Sequence, residues 1–342
     1  MQAVITVDIG TTSLRAIVYD PSGRALHVCQ RHNPPDYLDD GRVEQDPHSW
    51  QTQVRAVLRS AGQAVQDQGL QPACIAVTAQ RSSLIAVDAA GAPLQPAMLW
   101  QDTRCAALAQ AMAGHDAEVY RRTGLKISPV FSAIKMAWLR QNRPGVWAAT
   151  HKLLGVQDWV LWGLTGRYVT DHSLASRTNL LNLHTRQWDA DLLALFGVPK
   201  ALLCDLVPPG AVVGGLTPAA AADTGLPAGL PVVTAGGDQQ CAALGLGLLG
   251  PQHAVANTGT GSYLIGHADA PALDAQMRVS CNVSAAPGAY IVEAATLTSG
   301  VAQRWLMELL GLDADDPAAL AQWAHEAAAV PAGSHGLLWL PH

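Results

Sequence analysis

No apolar run in this chain of 342 residues reaches the roughly 18 residues that a membrane helix needs, so no span is expected. No run of Lys or Arg occurs either. With 21 basic and 27 acidic side chains the net charge is −6, which argues against nucleic acid or an anionic membrane as partner. The six cysteines (Cys29, Cys74, Cys105, Cys204, Cys241, Cys281) are scattered, with no CxxC pair. That excludes a thioredoxin-type or zinc-ribbon motif and suits a reducing cytosol, where all six are expected to be small buried hydrophobes. Met1-Gln2 runs into AVITVDIG without a basic leader, so no secretion signal is expected. H-E-x-x-H, G-x-S-x-G and G-x-x-x-x-G-K-[ST] are all missing, which leaves zincin, esterase and P-loop readings unsupported. One G-x-G-x-x-G does occur, at residues 245–250. It closes a helical pattern instead of following a strand, and Pro251 prevents a helix from opening there, so it is not a dinucleotide site.

The length that remains suits two domains or one large α/β unit with a sizeable core. Runs 3–7 and 14–19 read as a strand hairpin joined by DIGTTS. Asp46-Pro47 should open a helix whose buried face is Trp50, Val54, Val57, Leu58, Ala61 and Val65. Strands are expected at 73–79, 84–88 and 231–235, and a second hairpin at 253–267. Helices are expected at 103–113 (stopped by Gly114), 131–142, 158–165, 189–196, 239–249, 300–310 and 317–329. Residues 206–231 carry little pattern, GGDQQ reads as a turn, and GLLWLPH reads as a strand. Trp138, Trp159, Trp305 and Trp323 fall at core positions of helices. Strands alternating with helices give an α/β class. Asp8–Ser13 and Asn257–Ser262 share the pattern [DN]-x-G-T-x-S, each between two apolar runs, which points to a duplicated unit with a ligand cleft between the halves.

Three segments carry groups suited to chemistry. In DIGTTS, Gly10 allows close backbone approach, and Thr11, Thr12 and Ser13 add hydroxyls, a combination that fits a phosphate cradle. Arg15 would set a cation over the same phosphates, and Asp8 would hold Mg²⁺ through water. An ordinary Gly/Thr hairpin turn is the plainer alternative. Asp238, after a buried strand and at the start of a helix, reads either as a helix cap or as a general base for a substrate hydroxyl. Gln80-Arg81 and Trp100-Gln101-Asp102-Thr103-Arg104 offer amides, guanidinium, carboxylate and an aromatic face for a polyol, or else capping and salt bridges with Asp102 as N-cap.

Together DIGTTSLRAIVYD, VEQDP, TAQR, LWQDTR, VFSAIK, TGRYVTDHSLASRT, AGGDQQCAALG and NTGTGSY resemble the FGGY carbohydrate kinases, the group that holds glycerol kinase, xylulokinase and gluconate kinase. The resemblance implies an actin-like (ribonuclease H-like) pair of duplicated domains with a central cleft, at 1–245 and 246–342, the second incomplete. It implies ATP and Mg²⁺, a sugar or polyol acceptor, a cytoplasmic location, and is compatible with a homodimer. Asp238 looks like the family's base and Asp8 its Mg²⁺-associated acid. Thr11, Thr12, Ser13 and Arg15 resemble the first phosphate loop, and Gly259, Thr260 and Gly261 the second. Gln80, Arg81, Trp100, Asp238 and Gln239 fall where the family contacts its acceptor. Ser82 stands where glycerol kinases carry Glu, and Val130 where they carry Tyr, which implies a longer polyol or ketose. Xylulokinases favour Met-His at Gln80-Arg81. Family members also continue past residue 342 with an adenosine pocket, so a non-catalytic sugar-binding remnant stands as the second expectation, beside glycerol kinase proper, and a sugar-independent ATPase as the third.

Overall fold

The computed structural model describes residues 1–258, 261–296 and 298–339. Its main sheet has six strands in the order Val212–Gly215, Pro231–Gly237, Gln71–Ala79, Gln2–Ile9, Ser13–Tyr19, Ala25–His32. The middle three, Pro231–Gly237, Gln71–Ala79 and Gln2–Ile9, run parallel, and the others are antiparallel to their neighbours. Alternation explains the first hairpin. Ala3, Ile5, Val7 and Ile9 face the core from one strand, and Leu14, Ala16 and Val18 from the next.

The helix Pro47–Asp67 covers this sheet. Asp46 caps it by accepting the His48 N–H, Pro47 takes the first helical position, and the six expected apolar residues are all buried. Each of the Val and Leu side chains among them contributes roughly 1.5–3 kcal/mol by leaving water. A second sheet orders Ala254–Thr258, Ser262–Ala268, Tyr290–Thr296 and Ser280–Val283, all antiparallel. The two sheets anchor two lobes. An apolar seam joins them, with Ala175, Leu181 and Leu183 packed against Cys281, Val283 and Tyr290. Among the described residues no helix is long and apolar enough to cross a membrane.

Several expectations need correction. Gly114 stops nothing. The helix Ala106–Met112 passes through a short 3-10 turn into a further helix, Asp116–Thr123. The stop is Gly124, at φ +70°, where a Cβ would also come within 2.3 Å of the Cys281 carbonyl oxygen. Residues 206–231 are ordered as strands Asp205–Val207 and Val212–Gly215 and helix Pro218–Thr224, capped by the Thr217 side chain. Gly236 and Gly237 belong to the strand, and the helix after them, Asp238–Gly245, ends four residues short of the expected 249. Leu337–Trp339 form no strand, and Leu340 to His342 lie outside the described residues. Trp305 is 53% exposed and stacks on Trp339 instead of entering the core. Cys29, Cys74 and Cys241 are only partly buried.

One buried carboxyl away from the cleft sets a pH dependence. Asp158 accepts the Gly155 N–H at 2.8 Å, while its Oδ1 has no partner. Burial pushes its pKa up to about 7, and the neighbouring Asp171 adds to the rise. The folded chain therefore holds a proton that the unfolded chain releases above pH 4. Stability should fall as pH rises from about 4 to 7, by up to about 1.4 kcal/mol per unit. Asp158→Asn is expected to flatten that slope, with urea midpoints at pH 5 and pH 8 as the measurement; equal slopes in both proteins would refute the assignment.

Candidate active site

Ile9 pairs with Ala79, and Ala79 pairs with Gly237, so the three parallel strands end level with one another. The next residues, Gly10, Gln80 and Asp238, therefore leave the sheet side by side, at the carboxyl edge where open α/β sheets place their ligands. A cleft of about 470 Å³ opens there. Its walls carry Thr11, Gln80, Arg81, Trp100, Asp238 and Gln239, so all the residues expected to touch an acceptor converge on one space.

Asp238 is the first residue of its helix, and Gly237 is the N-cap. The cap reading is thus displaced by one position, leaving the carboxylate free to face the cleft. Its Oδ1 accepts the Gln239 N–H at 2.7 Å and lies 3.6 Å from Arg81 Nε. Desolvation by the cleft walls pushes the Asp238 carboxyl above its ordinary pKa, Arg81 and the Gln239 N–H oppose the rise, and Asp8 and Glu293 reinforce it. Gly237 is packed closely, since a Cβ there would lie 2.6 Å from Gln240 Oε1 and 3.0 Å from Arg81 Cδ. The Ser173 hydroxyl accepts the Gly237 N–H at 3.0 Å and donates to buried Asp171, which fixes the strand end that carries Asp238.

Across the cleft wall the Trp100 indole N–H donates to the Thr11 hydroxyl (3.2 Å), which donates to Gln80 Oε1 (3.3 Å). Gln80 Nε2 is buried without a partner. Ser82 is buried at φ +66°, a left-handed backbone that turns the chain sharply after Arg81. Asp102 is not the cap of the next helix, which starts after Cys105. Wholly buried, it binds Arg104 Nε and Nη2 and the Val43 N–H, so this half of LWQDTR is structural.

The first hairpin turn is closed by the Gly10 N–H donating to the Ser13 carbonyl at 3.0 Å. Asp8 and Arg15 face each other across the hairpin, and Arg15 Nε and Nη2 donate to Asp8 Oδ2 at 2.9 and 2.7 Å. The structure thus brings Arg15 to Asp8 rather than leaving it free beside the turn. Thr12 is exposed, and Ser13 accepts from Gln30 Nε2. The sequence repeat occupies the same place in the second hairpin, where Asn257 pairs with Tyr263. Gly259 and Thr260 lie outside the described residues, and Gly261 is buried at the start of the return strand. No group of three or more His, Cys, Asp or Glu side chains that could hold a metal ion occurs among the described residues.

Two cleft residues escaped sequence reasoning. Glu293 and Arg177 line the cleft and pair with one another at 3.5 Å, and Arg177 stacks over Phe131 with its guanidinium carbon 4.9 Å from the ring centroid. The available signal for Glu293 was a single acid inside the apolar run YIVEAAT. Beneath the Phe131 wall, wholly buried Lys135 donates to the Pro129 and Val130 carbonyls, which fixes that loop.

A ribonuclease-H-like sheet, a hairpin repeated in a second lobe and a helix-start carboxylate on the cleft between them define an actin-like phosphotransferase. Residues 3–245 match the N-terminal domain of the FGGY family of carbohydrate kinases. The glycerol kinase of Alkalilimnicola ehrlichii is 37% identical over 340 residues, spanning 94% of this chain and 67% of that protein. The crystal structure of xylulose kinase from Rhodospirillum rubrum superposes with a TM-score of 0.93 at 30% identity, covering 99% of this chain and 70% of that one. Plasmodium falciparum glycerol kinase with ADP shares the fold, with a TM-score of 0.88 at 23% identity over 98% of this chain and 69% of that one. The chain belongs to the FGGY family of carbohydrate kinases: it is a phosphotransferase with an alcohol group as acceptor and ATP as donor.

Proposed function

We propose that the acceptor is a polyol or keto-sugar longer than a triol, and that Asp238 is the general base. The observation that carries this reading is the convergence of Asp238, Arg81, Gln80 and Trp100 on one cleft of about 470 Å³. The unpartnered Gln80 Nε2 is a donor for an acceptor hydroxyl, Trp100 offers a ring face, and Gln239 adds a second amide. Ser82 and Val130 also line the cleft and bring neither a carboxylate nor a phenol to their two positions. The acceptor oxygen attacks the γ-phosphorus in line, and the new O–P bond forms as the bond from phosphorus to the β-phosphate oxygen breaks. The bond electrons leave with ADP, and the hydroxyl proton passes to Asp238.

Thr11, Thr12, Ser13 and Arg15 form the first phosphate loop in this reading, and Gly259, Thr260 and Gly261 the second. Asp8 suits Mg²⁺ held through water, because both Arg15 bonds fall on Oδ2 and no described residue bonds Oδ1. Bound there, Mg²⁺ would neutralise phosphate charge. We set the lobe boundary at residues 245 and 246 and the location in the cytoplasm; the chain is compatible with a homodimer, a state that sedimentation of the purified protein would check.

The test is ADP release from MgATP across a panel of polyols, ketoses and sugar acids. Release that depends on a five- or six-carbon acceptor supports the reading. Release with glycerol alone would overturn the longer acceptor in favour of the reaction named for the Alkalilimnicola relative. Release without any acceptor would overturn the carbohydrate role altogether.

A further inference from the structure

Glu293 lies inside the strand Tyr290–Thr296, between Ile265 and Ser280 on the neighbouring strands. Its side chain is 4% exposed, yet both of its ion pairs reach across to the other lobe. Arg81 Nη1 donates to Oε2 at 3.1 Å and Nη2 to Oε1 at 3.5 Å, and Arg177 Nη1 stands 3.5 Å from Oε1. The fork of Arg81 is therefore spent on Glu293. Only its Nε is turned toward Asp238, at 3.6 Å, beyond a hydrogen bond.

A guanidinium between two carboxylates is held most strongly by the one it meets with its paired donors. Were the fork to close on Asp238, it would take the inner lone pair of each oxygen and set a full positive charge against the carboxylate, leaving a weaker base for the acceptor hydroxyl. We propose that Glu293 is a positioning residue for phosphoryl transfer: from the second lobe it holds the Arg81 fork and so keeps Asp238 open to the acceptor. The inference rests on Asp238 being the base. Arg177 balances the second charge, and Gln240 Oε1, which accepts from Arg81 Nη1 at 3.4 Å, keeps the fork in plane. Control of the base thereby depends on the second lobe standing where it does.

Crystal structures and steady-state kinetics of Glu293→Gln, Glu293→Asp and Asp238→Asn test it. In Glu293→Gln the Arg81 fork should turn onto Asp238 with an N–O distance near 3 Å. Its kcat should fall roughly tenfold while the acceptor KM moves less than about threefold, since the lost effect is one of placement. Glu293→Asp should recover most of the rate. An Arg81 that stays in place, or a kcat unchanged from wild type, overturns the proposal. So does a loss shared equally by kcat and KM with no rescue by Asp. If the single variant does not fold, E293Q/R177M removes the stranded buried cation together with its partner and carries the same readouts. Asp238→Asn separates the two claims. Full turnover in that variant defeats the reading of the base and this inference with it. Lost turnover alongside an unperturbed Glu293→Gln defeats only the inference.

Discussion

Asp238→Asn is expected to lower acceptor-dependent ADP release by about 10³-fold while acceptor affinity stays within a few-fold. Asn keeps the size of the side chain and an oxygen for the Gln239 N–H, so the helix start should persist. What it lacks is a site for the acceptor proton. Gln80, Arg81 and Trp100, which would hold the acceptor, stand on other segments and are untouched. Calorimetric titration with acceptor, read beside a coupled ADP assay, separates binding from turnover. Because burial raises the Asp238 pKa, wild-type activity should also fall as acid protonates it, at a higher pH than an exposed Asp would set. Turnover within tenfold of wild type would remove Asp238 from the mechanism.

Asp102→Ala should be the most damaging single change to stability, costing about 3–5 kcal/mol. The carboxylate is fully buried and accepts from Arg104 Nε at 2.9 Å, Arg104 Nη2 at 2.6 Å and the Val43 N–H at 2.9 Å. Removing it leaves the Arg104 guanidinium, 8% exposed, with Glu44 and the Trp138 ring as company. It also orphans a backbone N–H. Urea unfolding gives the number, and a loss below about 1 kcal/mol would show the pair to be dispensable. Asp102→Ala with Arg104→Met should recover part of the loss, since it removes the buried guanidinium whose Nε is otherwise left without its acceptor. Trp100 lies two residues upstream, so the acceptor KM of the single variant should rise as well.

Local signals carried much of the site. Asp46-Pro47 announces a helix because cap and first residue are adjacent, and Asp238 directly follows a strand that ends in a glycine pair, so both are legible over a few residues. Asp102 misleads for the opposite reason: it looks like a cap, but its partner Val43 lies 59 positions away, and tertiary burial decides its role. Glu293 is quieter still. A lone acid in an apolar strand declares that something pairs with it, but Arg81 is 212 positions distant and no local pattern names it. Gly114 and Gly124 are indistinguishable as letters. Only Gly124 has to let the Cys281 carbonyl pass, and that contact exists only once both lobes are folded. The helix Pro218–Thr224 was signalled by Thr217-Pro218 but overlooked amid a run rich in alanine and glycine.

That same contact has a mechanical consequence. The Gly124 carbonyl accepts the Cys281 N–H at 3.0 Å, and the Tyr120 hydroxyl donates to the Val279 carbonyl and accepts the Asp274 N–H close by. With the apolar seam around Cys281, Val283 and Tyr290, these bonds clamp the lobes along one line. Any rotation between the lobes must pivot there, as a jaw does on its joint, with displacement growing with distance from the seam. The cleft can then open for exchange of its contents without the core of either lobe being remade.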